Sequence, residues 1–399
     1  MDLGISSRAD ELRERLLAFM DECVLPAERT FEEQIAESGD PHHHPAVMED
    51  LKREAKSRGL WNLFLPDEGL SNLEYAYLAE IMGRVRIASE ACNCNAPDTG
   101  NMETLARFAD LKQKERWLKP LLDGEIRSGF AMTEPGVASS DATNIELSIR
   151  SDGDEYVLEG RKWWTTNALH PNCRILLVMG KSDPNEAPHR RHSVVLVPID
   201  TPGLNIVRSL PVFGFQDQGG HAEIEFDSVR VPKSYRLAEQ GDGFRIGQAR
   251  LGPGRIHHCM RLIGSTERAL ELLCRRALDR TTFGERLAER DNIRDWIADA
   301  RIEIEMVRLL CLKAAWKMDN FGNKEARVEI SAVKIAAARM ATTVIDRAIQ
   351  VHGGGGVSSD VPLSRMYAYA RTIRLADGPD EVHRRTIASQ ELRRWAPAK

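Results

Sequence analysis

The apolar periodicity of this 399-residue chain changes twice, and those two changes limit the folds open to it. From residue 8 to about 128 the pattern is helical, with Ala9, Leu12, Leu16, Leu17 and Met20 recurring at three- and four-residue steps. Further helices are predicted around 46–59, 73–90, 98–109 and 111–123, separated by Pro and Gly breaks. Near residue 129 short β-rich runs take over: 156–158, 174–179, 192–197, 204–207 and 222–226, divided by Asp, Pro and Gly clusters. Such spacing reads as a small β-domain, a barrel or sandwich rather than a βαβ sheet. From about 240 long amphipathic helices return, over 254–280, 292–320, 324–352 and 380–394, with the short connections of a four-helix bundle. The expected fold class is therefore α+β: an N-terminal helical domain over 1–128, a middle β-domain over 129–239 and a C-terminal four-helix bundle over 240–399.

Bulk properties exclude several functions. A net charge of −5 gives no electrostatic footprint for nucleic acid. No apolar run approaches the ~20 residues of a membrane span. Acidic residues run through the first helix, which is unlike a signal or transit peptide, and Pro397-Ala398-Lys399 is not a Ser-Lys-Leu address. Seven cysteines, an odd number without framework spacing, fit a reducing cytoplasm.

Two segments carry the chemistry. FAMTEPGVASSD, over 130–141, joins a turn-forming Glu-Pro-Gly to small hydroxyl side chains, and KWWTTN, over 162–167, sets indoles beside two threonines on a strand. Small polar donors on exposed backbone, with a flat ring nearby, suit a large flat polar ligand. The pair closely resembles the flavin-seating segment of the acyl-CoA dehydrogenases, a TEPGAGSD run followed by a K-W-x-T-N strand. Other family markers follow in order over nearly the whole chain: QKERWL at 113–118, RTTFG at 280–284 and QVHGG at 350–354. Within that family FAMTEPGVASSDATNIE, LGPGRIHHCMR and LADGPDEVH look most like the branch of family members ten and eleven, linked to unusual rather than straight-chain acyl-CoAs.

The resemblance implies FAD and α,β-dehydrogenation of an acyl-CoA to a trans-2-enoyl-CoA, with electrons passing to an electron-transferring flavoprotein. That reaction needs a base for the α proton, donors for the thioester oxygen and a flavin for the β hydride. The base it implies is Asp377, where most members carry glutamate; the side chain is shorter by about 1.5 Å. Some members place the base at the position of Gly254 instead, but no carboxylate lies between Asp242 and Glu267 here. A carboxylate beside flavin and acyl chain is expected to be desolvated, with its pKa raised. By itself, Asp before Gly-Pro also reads as a cap of the last helix. Gly378 is the implied oxyanion donor through its N–H.

Phe130, Met132, Thr133, Trp164, Thr165 and Thr166 are implied to line the flavin, and Ser140, with Ser139 as substitute, to touch cofactor and CoA. The one-residue insertion in ASSD leaves that serine register open. Arg280 and Phe283, and from the other side Gln350, Gly353 and Gly354, are implied to share a neighbouring subunit's cofactor, which calls for a homodimer or homotetramer. Pro379, Asp380 and Glu381 would pass the flavin edge, while Arg255 would position substrate or the base loop, or else form a buried salt bridge. The polar run Asn95, Asp98, Thr99 and Asn101 hints at a hydroxylated or branched substrate, or at helix capping. His42-His43-His44, Cys92-x-Cys94 and His257-His258 are read as structural, with no metal expected. The rival readings are a nitroalkane-type flavin oxidase, which also uses an aspartate, and a catalytically silent CoA- or flavin-binding scaffold.

Overall fold

A computed structural model describes residues 1–65 and 69–396. The terminal 397–399, read above against a peroxisomal address, lie outside the described residues. The helices are α1 (Ser7–Phe19), α2 (Leu25–Ser38), α3 (Ala46–Ser57), α4 (Asn72–Gly83), α5 (Asp98–Phe108), α6 (Gly243–Asp279), α7 (Asp291–Phe321), α8 (Arg327–His352), α9 (Leu363–Ile373) and α10 (Asp380–Trp395), besides shorter turns. Between α5 and α6 lie β1 (Arg127–Ala131), β2 (Ser148–Asp152), β3 (Glu155–Thr166), β4 (Cys173–Lys181), β5 (His192–Pro198), β6 (Leu204–Ser209), β7 (His221–Pro232) and β8 (Arg236–Leu237). The α+β class is as expected, and the long-helix periodicity translates directly into α6, α7, α8 and α10. The 11-residue α9 was not expected, and the strand expected at 156–158 is the start of a 12-residue strand that continues through the tryptophans. None of the described helices is long and apolar enough to cross a membrane, and no disulfide links the seven cysteines.

Secondary structure changes at about 127 and 243, but compactness divides the chain another way. One unit gathers Met1–Pro26, Ser57–Ser89 and Gly254–Lys399; the other gathers Ala27–Lys56 and Glu90–Pro253.

In the first unit α4 packs against α1 and α7, and α8 packs against α7, α9 and α10. A Ser71–Glu74 capping box starts α4, which buries Leu73, Tyr75, Leu78 and Met82. Two glycines let α4 meet α6 backbone to backbone: a Cβ on Gly83 would lie 2.2 Å from the Arg261 carbonyl oxygen, and one on Gly264 would lie 1.8 Å from that of Glu80. Gly264→Ala is therefore expected to overpack the contact and lower unfolding free energy by about 1–3 kcal/mol, measured by urea denaturation.

The second unit holds a mixed sheet. One run is ordered β6-β7-β3-β2, the other β4-β5-β8 with β1 parallel on β4, and they join at the parallel pair Ser148↔Lys181. Ala131, Leu158, Leu176, Val178, Val195, Ile224 and Phe226 share one buried core that draws on both runs.

Candidate active site

In the second unit the 130–134 and 162–167 segments are laced together. The Trp163 N–H donates to the Thr133 carbonyl at 2.9 Å. The Lys162 ammonium, fully buried, donates to the Met132 carbonyl at 2.8 Å and to a Glu134 carboxylate oxygen at 2.7 Å. Glu134 also accepts from the N–H groups of Glu146 and Leu147, at 2.8 Å each. Burial pulls the Lys162 ammonium down to about 8, against the pull of Glu134. The pairing of β3 with β7 slips between Lys162 and Thr165, and at that bulge Trp164 takes a left-handed φ of 53°. A bulge re-aims a side chain, and Trp164 is left 39% exposed while the Trp163 indole N–H is buried without a partner. Thr165 is fully buried and its hydroxyl also has no partner; Thr166 instead meets the His221 ring at 3.0 Å.

Phe130 and Met132 are half-buried, and Thr133 is exposed. The two serines of the open register separate clearly. The Ser139 hydroxyl accepts from the Glu134 N–H at 2.9 Å and is buried in that turn, whereas Ser140 is exposed.

The polar run on α5 lies inside the fold. Asp98 accepts from the Ser128 N–H and hydroxyl and from the Asn167 amide, at 2.8, 2.6 and 3.0 Å. Asn101 donates to the Ser128 hydroxyl and accepts from Arg250, whose guanidinium sits 4.2 Å over the Phe130 ring. Asp98 and Asn101 thus tie α5 to β1, to Asn167 after β3 and to Arg250, so their polarity is used within the fold. Arg250 and Asn167 had no assigned role in the sequence reading.

The three consecutive histidines diverge. His42 meets the Asp217 and Gln218 carbonyls, while His44 meets Glu49 at 2.6 Å. His44, Glu90 and His170 do bring ligand atoms within 4.8 Å of one another. The place of a cation beside Glu90 is, however, taken by Arg127 at 3.1 Å and Lys52 at 3.8 Å. Burial pushes the Glu90 carboxyl up, but Arg127 and Lys52 outweigh it and hold it at about 2. A carboxyl depressed below its ordinary 4.5 stabilises the fold above that pH and loses the contribution as pH falls toward 2. Glu90→Gln is expected to flatten the acid limb of stability in that window by up to about 1.4 kcal/mol per pH unit, read from urea unfolding against pH.

The first unit carries the candidate base. Asp377 sits in a left-handed conformation, φ 54°, and Gly378 follows at φ 103°. The last helix, α10, has Pro379 rather than Asp377 at its N-cap, with no side-chain cap bond there. The loop is held from two helices. Arg255 of α6 donates its Nε–H to the Asp377 carbonyl at 2.9 Å, which is the loop-positioning option rather than a salt bridge. Lys334 of α8, buried, donates to the Ile373 carbonyl and reaches the Gly378 carbonyl at 3.5 Å. Gly378 is required on two counts: its φ, and the His383 ring, whose Nε2 would lie 3.2 Å from an added Cβ. Burial lowers His383 to about 4.

A Cβ on Gly254 would stand 3.5 Å from Asp377 Oδ2, so the two positions at which a base was weighed face one another. His258, one turn further along α6, places Nε2 3.5 Å from the same oxygen. His257, by contrast, packs its buried ring edge-on against Tyr75, as a structural histidine should.

The remaining candidates divide. Asp380 is buried and its carboxylate accepts from Arg374 at 2.7 Å, while Glu381 is exposed and Pro379 half-buried. Arg280, Gln350, Gly353 and Gly354 are exposed. Phe283 is a fully exposed aromatic at φ 51°, beside Gly284 at φ 80°, on the turn of a two-stranded hairpin.

Comparison with known proteins matches three family models in order: "Acyl-CoA dehydrogenase, N-terminal domain" over 6–125, "middle domain" over 129–229 and "C-terminal domain" over 241–392. The chain is 56% identical over 397 residues to "Probable acyl-CoA dehydrogenase FadE2" of Mycobacterium tuberculosis, covering 99% of this chain and 98% of the relative. It is 51% identical over 394 residues to acyl-CoA dehydrogenase family member 11 of Rattus norvegicus, covering 97% of this chain. There it spans about half, 51%, of the relative's length. Among solved structures it resembles a Mycobacterium abscessus chain described as an acyl-CoA dehydrogenase, at 51% identity, TM-score 0.96, 98% of this chain and 100% of that one. Butyryl-CoA dehydrogenase of Megasphaera elsdenii, 24% identical with TM-score 0.83, shares the fold over 98% of this chain and 100% of its own.

Proposed function

Since the chain belongs to the acyl-CoA dehydrogenase family, we propose that it is an FAD-dependent enzyme that converts an acyl-CoA thioester to its trans-2-enoyl-CoA, with Asp377 as the base. The observation that carries this reading is the Asp377 loop: a carboxylate on a left-handed residue, held through its backbone by Arg255 and facing the space left by a glycine at 254. Backbone held in a sparsely populated region, over-determined by its surroundings, is a mark of functional sites.

The residues of the second unit fit FAD. An aromatic face turned outward at a bulge, a buried threonine hydroxyl without a partner and an exposed serine after the turn are the surfaces and donors that a flat polar ring system uses. When bound, FAD would supply the acceptor for the β hydride. Trp164 would cover one face, Phe130, Met132, Thr133, Thr165 and Thr166 the ring edge, and Ser140 the contact to cofactor and CoA, since Ser139 is committed to its turn. Asp377 takes the α proton, and the Gly378 N–H donates to the thioester oxygen as negative charge gathers there. Pro379 and Glu381 flank the base loop, Asp380 being engaged with Arg374.

A fully exposed Phe283, with Arg280 at the root of its hairpin, supports insertion into a second copy of the chain, met from the other side by Gln350, Gly353 and Gly354. The proposed assembly is a homodimer or homotetramer, and the proposed electron acceptor an electron-transferring flavoprotein. Disulfide-free cysteines suit a reducing compartment such as the cytoplasm, and the proposed setting is fatty-acid β-oxidation.

Anaerobic titration of the yellow holoenzyme with a panel of acyl-CoAs tests the reading. One equivalent of a good substrate should bleach the flavin and leave one equivalent of enoyl-CoA. Peroxide formation from a nitroalkane, with no response to any acyl-CoA, would transfer the protein to the oxidases. A yellow protein that responds to neither class would be the silent scaffold.

A further inference from the structure

The imidazole of His258 is the one polar side chain of α6 that reaches the Asp377 carboxylate, among the contacts described, and its own hydrogen bonds settle which way it works. At Nδ1 it meets the Tyr369 hydroxyl at 3.1 Å and an Arg261 N–H at 3.3 Å. A guanidinium can only donate. Nδ1 must therefore accept, which puts the ring proton on Nε2, the nitrogen 3.5 Å from Asp377 Oδ2. Both side chains are mostly buried, at 13% and 18% exposure, so the contact is little diluted by solvent. Arg261 stands at the back of the ring, on the Nδ1 side.

Resting on Asp377 as the base, we infer that His258 is a positioning residue for that base: its neutral Nε2–H aims and stabilises the ionised carboxylate, with Tyr369 and Arg261 fixing the tautomer. The contact answers a need created by this sequence. An aspartate is one carbon shorter than glutamate and hangs from a left-handed backbone, so its direction must be set from outside. The hydrogen bonds described for Arg255 and Lys334 run to the backbone carbonyls around it. His383 abuts Gly378, and the nearby Cys259 thiol is pushed up to about 12 by burial and stays neutral. His258 reaches the carboxylate oxygen itself, from one helical turn along α6 from Gly254, whose Cβ position stands 3.5 Å from the same oxygen.

A donor to the charged form lowers a carboxyl pKa; its loss raises it. In the holoenzyme under anaerobic single-turnover conditions, His258→Phe should move the acid limb of the flavin-bleaching rate up by about one pH unit and slow the rate about tenfold below that limb. His258→Gln, whose amide can donate from nearly the Nε2 position, should recover most of the shift, with flavin content and thermal midpoint unchanged in both variants. An activity-free readout accompanies it: 15N spectra of histidine-labelled protein should show His258 protonated at Nε2, and Tyr369→Phe should weaken that preference. Unchanged acid limbs in both variants, equal impairment of Gln and Phe, or a ring protonated at Nδ1 would each overturn the assignment. Wild-type enzyme that no acyl-CoA bleaches would sink the dehydrogenase reading instead, while the tautomer measurement still decides the contact.

Discussion

Asp377→Asn is expected to retain its flavin and its fold but to lose about 10³- to 10⁴-fold in the rate of bleaching by acyl-CoA, roughly 4–5.5 kcal/mol of barrier. The amide keeps the shape and can still meet His258, so the structure around it should stand. What disappears is the only proton acceptor the reading places at the α carbon. The loss should fall on the rate at saturating substrate rather than on binding, because proton removal belongs to the transition state. A stopped-flow experiment separates the two. Wild-type bleaching rates in Asp377→Asn would remove the base assignment. A rescue double variant, Asp377→Asn with Gly254→Glu, would place a carboxylate on the facing helix position, where an added Cβ stands 3.5 Å from the native oxygen, and partial recovery is expected.

Lys162→Met is expected to lower unfolding free energy by about 3–5 kcal/mol, the cost of stranding one member of a buried ion pair. Lys162 is fully buried and Glu134 almost so, and the lysine also satisfies the Met132 carbonyl. Methionine fills the space but leaves a carboxylate with only two backbone N–H donors, from residues 146 and 147. Since the pair laces the 130–134 segment to the tryptophan strand, flavin retention should fall together with stability. The double change Lys162→Met with Glu134→Gln, which removes both charges, should restore much of the stability. Chemical denaturation and flavin content measured on the same preparations decide it.

Much of the fold was legible because long helices repeat their apolar residues many times: α6, α7, α8 and α10 each run 16 residues or more. α9, at 11 residues between a glycine run and the base loop, gives too few turns to register. β2 buries one residue of five, so it shows no alternation. In the site, the 130–141 and 162–167 segments could be read because their chemistry is local in sequence. His258 could not, because its partner arrives 119 positions later, though its four-residue spacing from Gly254 was a usable signal. The polar residues of α5 stayed ambiguous for a plain reason. A side chain lining a cavity and one hydrogen-bonded inside a core have the same sequence, and only the Ser128 and Asn167 partners distinguish them.

The first compact unit is assembled from stretches on either side of the second, with residues 57–89 and 254–399 in one body. On a ribosome this sets a timetable. α4 leaves the exit tunnel well before the helix it must touch at Gly83 and Gly264 has been made. About 165 residues separate the end of the early stretch from the start of the late one, a wait of about 8–33 s at 5–20 residues per second. During that interval α1 and α4 have each other but neither α6 nor α7, so the apolar residues that those later helices cover, Met82 of α4 beside the Gly83 contact among them, stay open. Nascent chains stalled between residues 90 and 254 are therefore the ones a trigger-type chaperone should hold, and release should follow once α6 emerges.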